Sequence, residues 1–251
     1  MAWAAVSDIG NVAIKAAVTA ISLTASSTIT AGTYVLVAVG KNNSSTTDGD
    51  NSEVTGVTNG GAGNTFSKVA EFTNSEAAAA AGATISVWGL AVQTQINTGG
   101  LIIASLSVTS AATVMTGHKF DFGAGNTITR PGLQTLAADN VSNPGSMTIS
   151  GLANNEYLFC RWIAKENEAA TAMAATTGYT LFTNAQTVGG LGTSNIGVRG
   201  EFRVLTGTGD TSDPQNTIAL PDWASVYFAL KEAAAAAGLK IGGLSLMGMG
   251  R

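Results

Sequence analysis

Charge is scarce in this chain. Asp, Glu, Lys and Arg together make up 11% of its 251 residues, less than half of the roughly 25% usual in soluble domains. Solubility therefore has to come from Ser, Thr, Asn and the peptide groups, which suits a tightly packed or oligomeric β-protein. A net charge of −4 with no run of Lys or Arg supplies no electrostatic footprint for nucleic acid, so direct nucleic-acid binding is not expected. A single cysteine, Cys160, cannot close an internal disulfide. A single histidine, His118, leaves little for metal sites or imidazole acid–base chemistry. Four prolines beside 31 glycines exclude a Pro-rich stalk and point instead to many short strands joined by glycine turns. Long apolar runs are missing too: none approaches the roughly 20 residues that cross a bilayer, so no membrane partner is expected. The N-terminal residues carry no basic region, and Asp8 interrupts the apolar stretch that a signal peptide needs. The chain is expected to be made and kept in the cytoplasm, unless it leaves by lysis.

What is present is core-forming sequence, 45% hydrophobic, in segments of period two. Val18, Ile21 and Leu23 alternate with polar residues, and Tyr34 to Val39 forms an uninterrupted apolar run; both patterns read as strands. Further strands are expected at 66–72, 84–91, 101–108, 113–122, 147–149, 157–164, 179–183, 196–205 and 222–230. Turn residues separate them, so the expected fold class is an all-β antiparallel sandwich. Helical composition is confined to residues 233–237.

A weak internal repeat runs through the strands. Thr28 to Leu36 echoes Thr148 to Phe159, each with a turn glycine and then a Tyr-led apolar strand. Gly63-Asn64-Thr65-Phe66 parallels Thr177-Gly178-Tyr179-Thr180, and Thr84 to Trp88 parallels Asn195 to Arg199. Each half closes on a long strand, giving pseudo-repeats at about 12–123 and 140–231. Two small sandwiches, or one large sandwich built from both halves, fit equally in principle. The absence of a Pro/Ser linker at 123–140 favours one domain, 12–232, flanked by an N-terminal arm (1–11) and a C-terminal arm (233–251). The segment between the repeats is expected to hold short strands of its own.

Val54-Thr55-Gly56-Val57-Thr58-Asn59 leads into Gly63-Asn64-Thr65-Phe66-Ser67-Lys68, and the second half ends on Trp223-Ala224-Ser225-Val226-Tyr227-Phe228-Ala229-Leu230-Lys231. These stretches resemble the jelly-roll-like β-sandwich modules of tailed-phage virion proteins and related bacterial surface proteins. The resemblance implies a jelly-roll-like fold and a virion or surface role. It brings no catalytic residue, because its motifs are strand and turn patterns.

Candidate sites are few. Asp48, Asp50 and Glu53 lie in one acidic loop, and Asp210 lies in another with Asp213. Together Asp48, Asp50 and Asp210 are the candidates for a hard cation such as calcium. Against this stands the commoner role of such residues in solvated turns, where Asp bonds nearby amides. Glu201 and Asp121 are the only carboxylates that invite a glycosidase reading, and a surface ion pair with Arg199 or Arg203 is favoured over it. His118 is read as a strand-edge or loop residue and Cys160 as a small buried hydrophobe. Trp88, Trp162 and Trp223 lie within apolar strands and belong to the core. Trp3, outside the strands, is assigned to packing against another subunit. The C-terminal arm carries Leu239, Ile241, Leu244, Leu246, Met247 and Met249 among glycines, a surface that needs a groove on the parent domain or on a neighbour.

The reading that follows is a non-enzymatic structural protein of a tailed-phage virion, a capsid decoration or accessory protein assembled in the host cytoplasm. It would form a homo-oligomer and contact other virion proteins, such as the major capsid or tail proteins, through sheet edges and arms, with no cofactor. The alternative is a tail or fibre component, or a surface carbohydrate-binding module.

Overall fold

The computed structural model describes residues 3–59, 64–75, 82–121, 127–139, 141, 143–166, 173–188, 195–216 and 222–233. All regular structure among them is β. The first half builds a five-stranded antiparallel sheet in the order β1 (Ala4–Ile14), β8 (Thr113–Asp121), β3 (Thr33–Asn42), β6 (Ala83–Ala91), β5 (Ser67–Thr73). A three-stranded sheet covers one face of it, in the order β2 (Val18–Thr24), β7 (Leu101–Ser110), β4 (Val54–Asn59). In the second half the large sheet runs β9 (Thr127–Ala138), β18 (Trp223–Ala233), β11 (Asn155–Glu166), β15 (Ile196–Gly207), with β13 (Thr180–Leu181) and β14 (Ala185–Gln186) both on the far side of β15. Its outer cover is two short ribbons, β10 (Met147–Ile149) with β16 (Asp210–Ser212), and β12 (Met173–Ala174) with β17 (Gln215–Asn216).

The two large sheets pack against each other, which explains the uninterrupted apolar runs. In β3 the even residues Leu36 and Ala38 enter the core between the large sheets, while the odd residues Val35, Val37 and Val39 enter the core under the three-stranded sheet. In β11, Leu158, Cys160, Trp162 and Ala164 face the central core and Tyr157 and Phe159 face the outer one. A strand buried on both faces has no polar alternation to keep. The close approach of the sheets is visible at Gly40, where an added Cβ would lie 2.3 Å from a Val198 methyl.

Strand for strand, the halves correspond: β1, β8, β3, β6 and β5 occupy the places of β9, β18, β11, β15 and the β13/β14 pair. The correspondence extends to a β-bulge. Four residues of β1, from Ala4 to Ser7, lie opposite three of β8, from Asp121 to Lys119; likewise the four from Thr129 to Gly132 of β9 lie opposite the three from Lys231 to Ala229 of β18. Contacts between the halves close on themselves under the same exchange. β3 packs on β11, and β6 on β18 mirrors β8 on β15; β5 on β9 mirrors β1 on β14. This is the pattern of a two-fold interface formed within one chain.

Three sequence expectations are corrected here. The segment expected as an N-terminal arm is a strand over its described part, since Ala4–Ile14 is an edge strand hydrogen-bonded to β8. The segment between the repeats holds one twelve-residue strand, β9, which is the first strand of the second large sheet rather than short strands of its own. The Tyr-led match slips by one residue. Bulge and register make Leu158, not Tyr157, the counterpart of Tyr34, because Tyr34 and Leu158 both face the central core and Tyr157 faces outward. A one-residue slip in a strand changes the face.

A candidate binding seam between the halves

Most of the polar residues singled out from sequence are structural. Arg161 of β11 is fully buried. Its guanidinium donates to Ser225 Oγ (2.9 Å), to the carbonyls of Gly145 (2.7 Å) and Ser212 (3.0 Å), and to Pro144 O (3.1 Å). Burial pulls it down to about 10, opposed by the charge of Glu201, its cross-strand neighbour on β15. Glu201 is not a surface acid but wholly buried, and accepts from Thr176 N (2.8 Å), Thr176 Oγ1 (2.7 Å) and Ser212 Oγ (2.5 Å). Asp121, exposed at the end of β8, belongs to the first sheet. The structure does not bring the two carboxylates together as the glycosidase reading requires.

The cation candidates are likewise dispersed. Asp48 accepts from the amide and hydroxyl of Ser75, both at 2.9 Å. Asp50 pairs with Lys68 at 2.9 Å. Asp210, on the outer ribbon of the other half, accepts from Tyr179 Oη at 3.0 Å, and Tyr179 in turn lies 2.6 Å from Tyr227 Oη. No group of three or more potential metal ligands occurs among the described residues. Glu53 is not a solvated loop residue: it is buried against Lys41 and Ser44, and its amide donates to Glu71 at 2.6 Å. These bonds clasp the 43–53 loop onto the sheet.

His118 is central, not at an edge. It lies on β8 with Phe182 at 4.6 Å and Trp162 at 5.5 Å between ring centroids. Burial pulls it down to about 4 against the opposing charge of Asp8. Cys160 is fully buried, and burial pushes its thiol up. Trp88, Trp162 and Trp223 are core residues as expected from their strands. Trp3 is corrected: it is 6% exposed in the central core, edge-on to Tyr34 and Phe120, with its amide donating to Glu156 Oε1 at 3.0 Å. An aromatic side chain beginning an edge strand finds its groove in its own fold. Leu239, Ile241, Leu244, Leu246, Met247 and Met249 lie outside the described residues.

The feature that remains is a hollow of about 480 Å³ at the seam where β5 and β9 meet. Both strands run the same way along it. They converge where Asn74 Nδ2 donates to Asp139 Oδ1 (2.6 Å) and Trp223 O (3.1 Å), and diverge toward Ser67 and Thr127. The floor is apolar, from Val69, Ala91, Ile128, Leu230 and Gly89. Hydroxyl and amide groups come from Tyr34, Thr65, Ser67, Gln93 and Thr127. Two cations, Lys68 and Arg130, stand where this hollow runs into a second one of about 330 Å³ beneath Phe72 and Leu133. Lys68 is tied to Asp50 and, at 3.4 Å, to Glu71. Arg130 has no hydrogen-bond or ion-pair partner among the described residues. Burial pushes the Tyr34 hydroxyl well above its usual range.

Sequence reading missed this seam, because nothing in a single strand marks it. The signal lies in comparing the halves at matched register. At the other seam, the places of Ile128, Gly89, Val69 and Leu230 are held by Trp3, Phe202, Phe182 and Phe120. Those four rings pack on one another, with centroids of 4.8 Å for Phe182–Phe202 and 6.1 Å for Phe120 with each of the other three.

Comparison with protein-family models, with curated proteins and with solved structures finds no match.

Proposed function

We propose that the chain is a non-enzymatic structural protein of a tailed-phage virion, a decoration or accessory component that assembles through its sheet edges and terminal segment. The observation that carries this reading is the pair of free edges at the seam. Among the described residues β9 pairs as a strand only with β18, and β5 only with β6 apart from the Gly49–Thr73 bridge. Free edges are templates for another strand. Support also comes from the interior, where Arg161, Glu201, Lys41 and Glu53 are all spent on holding layers together. The jelly-roll-like resemblance and the low charge point the same way.

The test is the solution mass, by light scattering, of the full chain and of a version ending at Glu232. A defined oligomer that the truncation dissolves supports assembly through the terminal segment. Monomers in both cases at high concentration overturn it.

A second reading, a surface carbohydrate-binding module, is favoured by one observation. The seam hollow combines an apolar floor with hydroxyl and amide groups, the lining that sugar rings require.

A further inference from the structure

The two seams hold equivalent positions in the two halves; among the described residues one is filled by aromatic rings and the other is open. Four large residues, Trp3, Phe120, Phe182 and Phe202, stand against Ile128, Leu230, Val69 and Gly89. The Gly89 position shows how much room the loss of a ring opens. A Cβ there would lie 2.0 Å from Tyr34 Oη, so the tyrosine hydroxyl leans into space that Phe202 fills on the other side. A protein interior closes on voids unless something else occupies them. Here the space opens to solvent, lies within the size range of small-ligand sites, and carries two cations at positions that are apolar in the filled seam. Arg130 corresponds to Ala5, and Lys68 to Leu181.

We infer that the β5/β9 hollow is a binding site for an acidic saccharide of one or two rings, with the sugar's carboxylate at Arg130. This deepens the carbohydrate-binding reading, and because ligand titration and solution mass are separate readouts, either reading can fail alone. Three features of such a ligand match three features of the site. A pyranose has an apolar face, which the floor of Val69, Ile128 and Leu230 accommodates. Its hydroxyls both donate and accept, as do Tyr34, Ser67, Thr127 and the Gln93 amide. A hexuronate carries a planar carboxylate, for which a guanidinium with unspent donors is the best-matched partner in a protein, two parallel N–H···O bonds being available. Lys68 is already offset by Asp50 and Glu71, which leaves Arg130 as the cation for the carboxylate. A neutral sugar would leave Arg130 unused, and a small inorganic anion would leave the floor uncovered.

The test is calorimetric titration of the full chain with digalacturonate, with a neutral disaccharide and with sodium sulfate. Two variants accompany it. Arg130→Gln removes the anchor on an exposed edge strand. Ile128→Trp places an indole at the position corresponding to Trp3 and refills the hollow. Expected is saturable binding of digalacturonate, about tenfold or more weaker with Arg130→Gln, a loss of one charge-assisted pair, and undetectable with Ile128→Trp at an unchanged unfolding midpoint. Should Ile128→Trp fold poorly, the Arg130→Gln comparison and the salt dependence of binding decide alone. Equal affinity for the neutral disaccharide, sulfate binding as tight as that of digalacturonate, or no saturable binding would each overturn the assignment.

Discussion

Gly89 and Phe202 hold the same place in the two halves. Gly89 pairs with Leu36 on β3, and Phe202 pairs with Cys160 on β11, the residue matched to Leu36. One position thus carries the smallest residue beside an open hollow and a ring inside a packed cluster.

The first prediction follows from that pair. Gly89→Ala puts a methyl against Tyr34 Oη, and the tyrosine must shift within a packed layer. The expected cost is about 1–3 kcal/mol, the usual range for overpacking. Tyr34→Phe removes the nearest clash, while the Tyr34 ring carbon Cζ at 2.8 Å and a Val69 methyl at 3.0 Å remain close, so the double variant should recover part of the loss. Urea denaturation of the two singles and the double gives the coupling; simple additivity would show that the two residues do not meet.

His118, packed on Phe182 and Trp162, makes the core beside the filled seam acid-sensitive. Its folded value of about 4 lies below the ordinary 6.5, with burial as the cause. Above 6.5 neither state is protonated and the stability is whole. As the pH falls from 6.5 toward 4 the unfolded chain takes up the proton first, and stability drops by up to about 3 kcal/mol. The corresponding residue in the second half is Phe228, so His118→Phe suits the site in size and cannot titrate. Its unfolding free energy should fall less between pH 7 and pH 4 than that of the parent. An identical slope would remove His118 from the explanation.

Glu166 acts in the opposite sense. Burial, reinforced by Asp222, raises it from 4.5 to about 7, while the Gly82 amide, donating to Oε2 at 3.0 Å across the halves, opposes the shift. The folded state therefore holds the proton longer, and its stability is whole below 4.5 and lost as the pH rises through 7. A loss on the order of 2 kcal/mol is expected by pH 8. Glu166→Gln keeps an acceptor for Gly82 and carries no charge. It should match the parent near pH 4.5 and exceed it in stability at pH 8, read by chemical denaturation at both values.

Arg161 ties the outer ribbon to the second large sheet. In Arg161→Met the side chain still fills space, but the carbonyls of Pro144, Gly145 and Ser212 lose their donor and buried Glu201 loses its neighbouring cation. Removing one partner of a buried pair costs about 3–5 kcal/mol. Removing both with Glu201→Gln should cost less than the sum of the singles. A loss under about 1 kcal/mol in Arg161→Met would mean that the network does not hold the ribbon.

Strand positions were legible because alternation and turn glycines act locally. Tyr34 to Val39, Thr84 to Ala91 and Met147 to Ile149 all fall in strands of the structure. β9 was not read as one long strand, because Pro131, Gly132 and polar residues interrupt its pattern; Pro131 is tolerated at the bulge, where no ladder amide is needed. Trp3 misled for a related reason. Its local sequence has no strand partner, and the groove that accepts it is built from β3, β8 and β11, more than thirty residues away or further. Of the seam, only its residue types were visible; Lys68 and Arg130 are 62 positions apart in the chain.

Composition and period by themselves determined that this chain is an antiparallel β-protein, because a segment's alternation and its turns depend on neighbours a few residues away. Only tertiary structure decided which faces of those strands meet. The continuous apolar runs of β3 and β11 are compatible with burial anywhere, and it is the packing of one large sheet on the other that gives each face its own core. The same packing filled one seam with four rings and left the other open, a difference set by residues that register and bulges bring together across the fold.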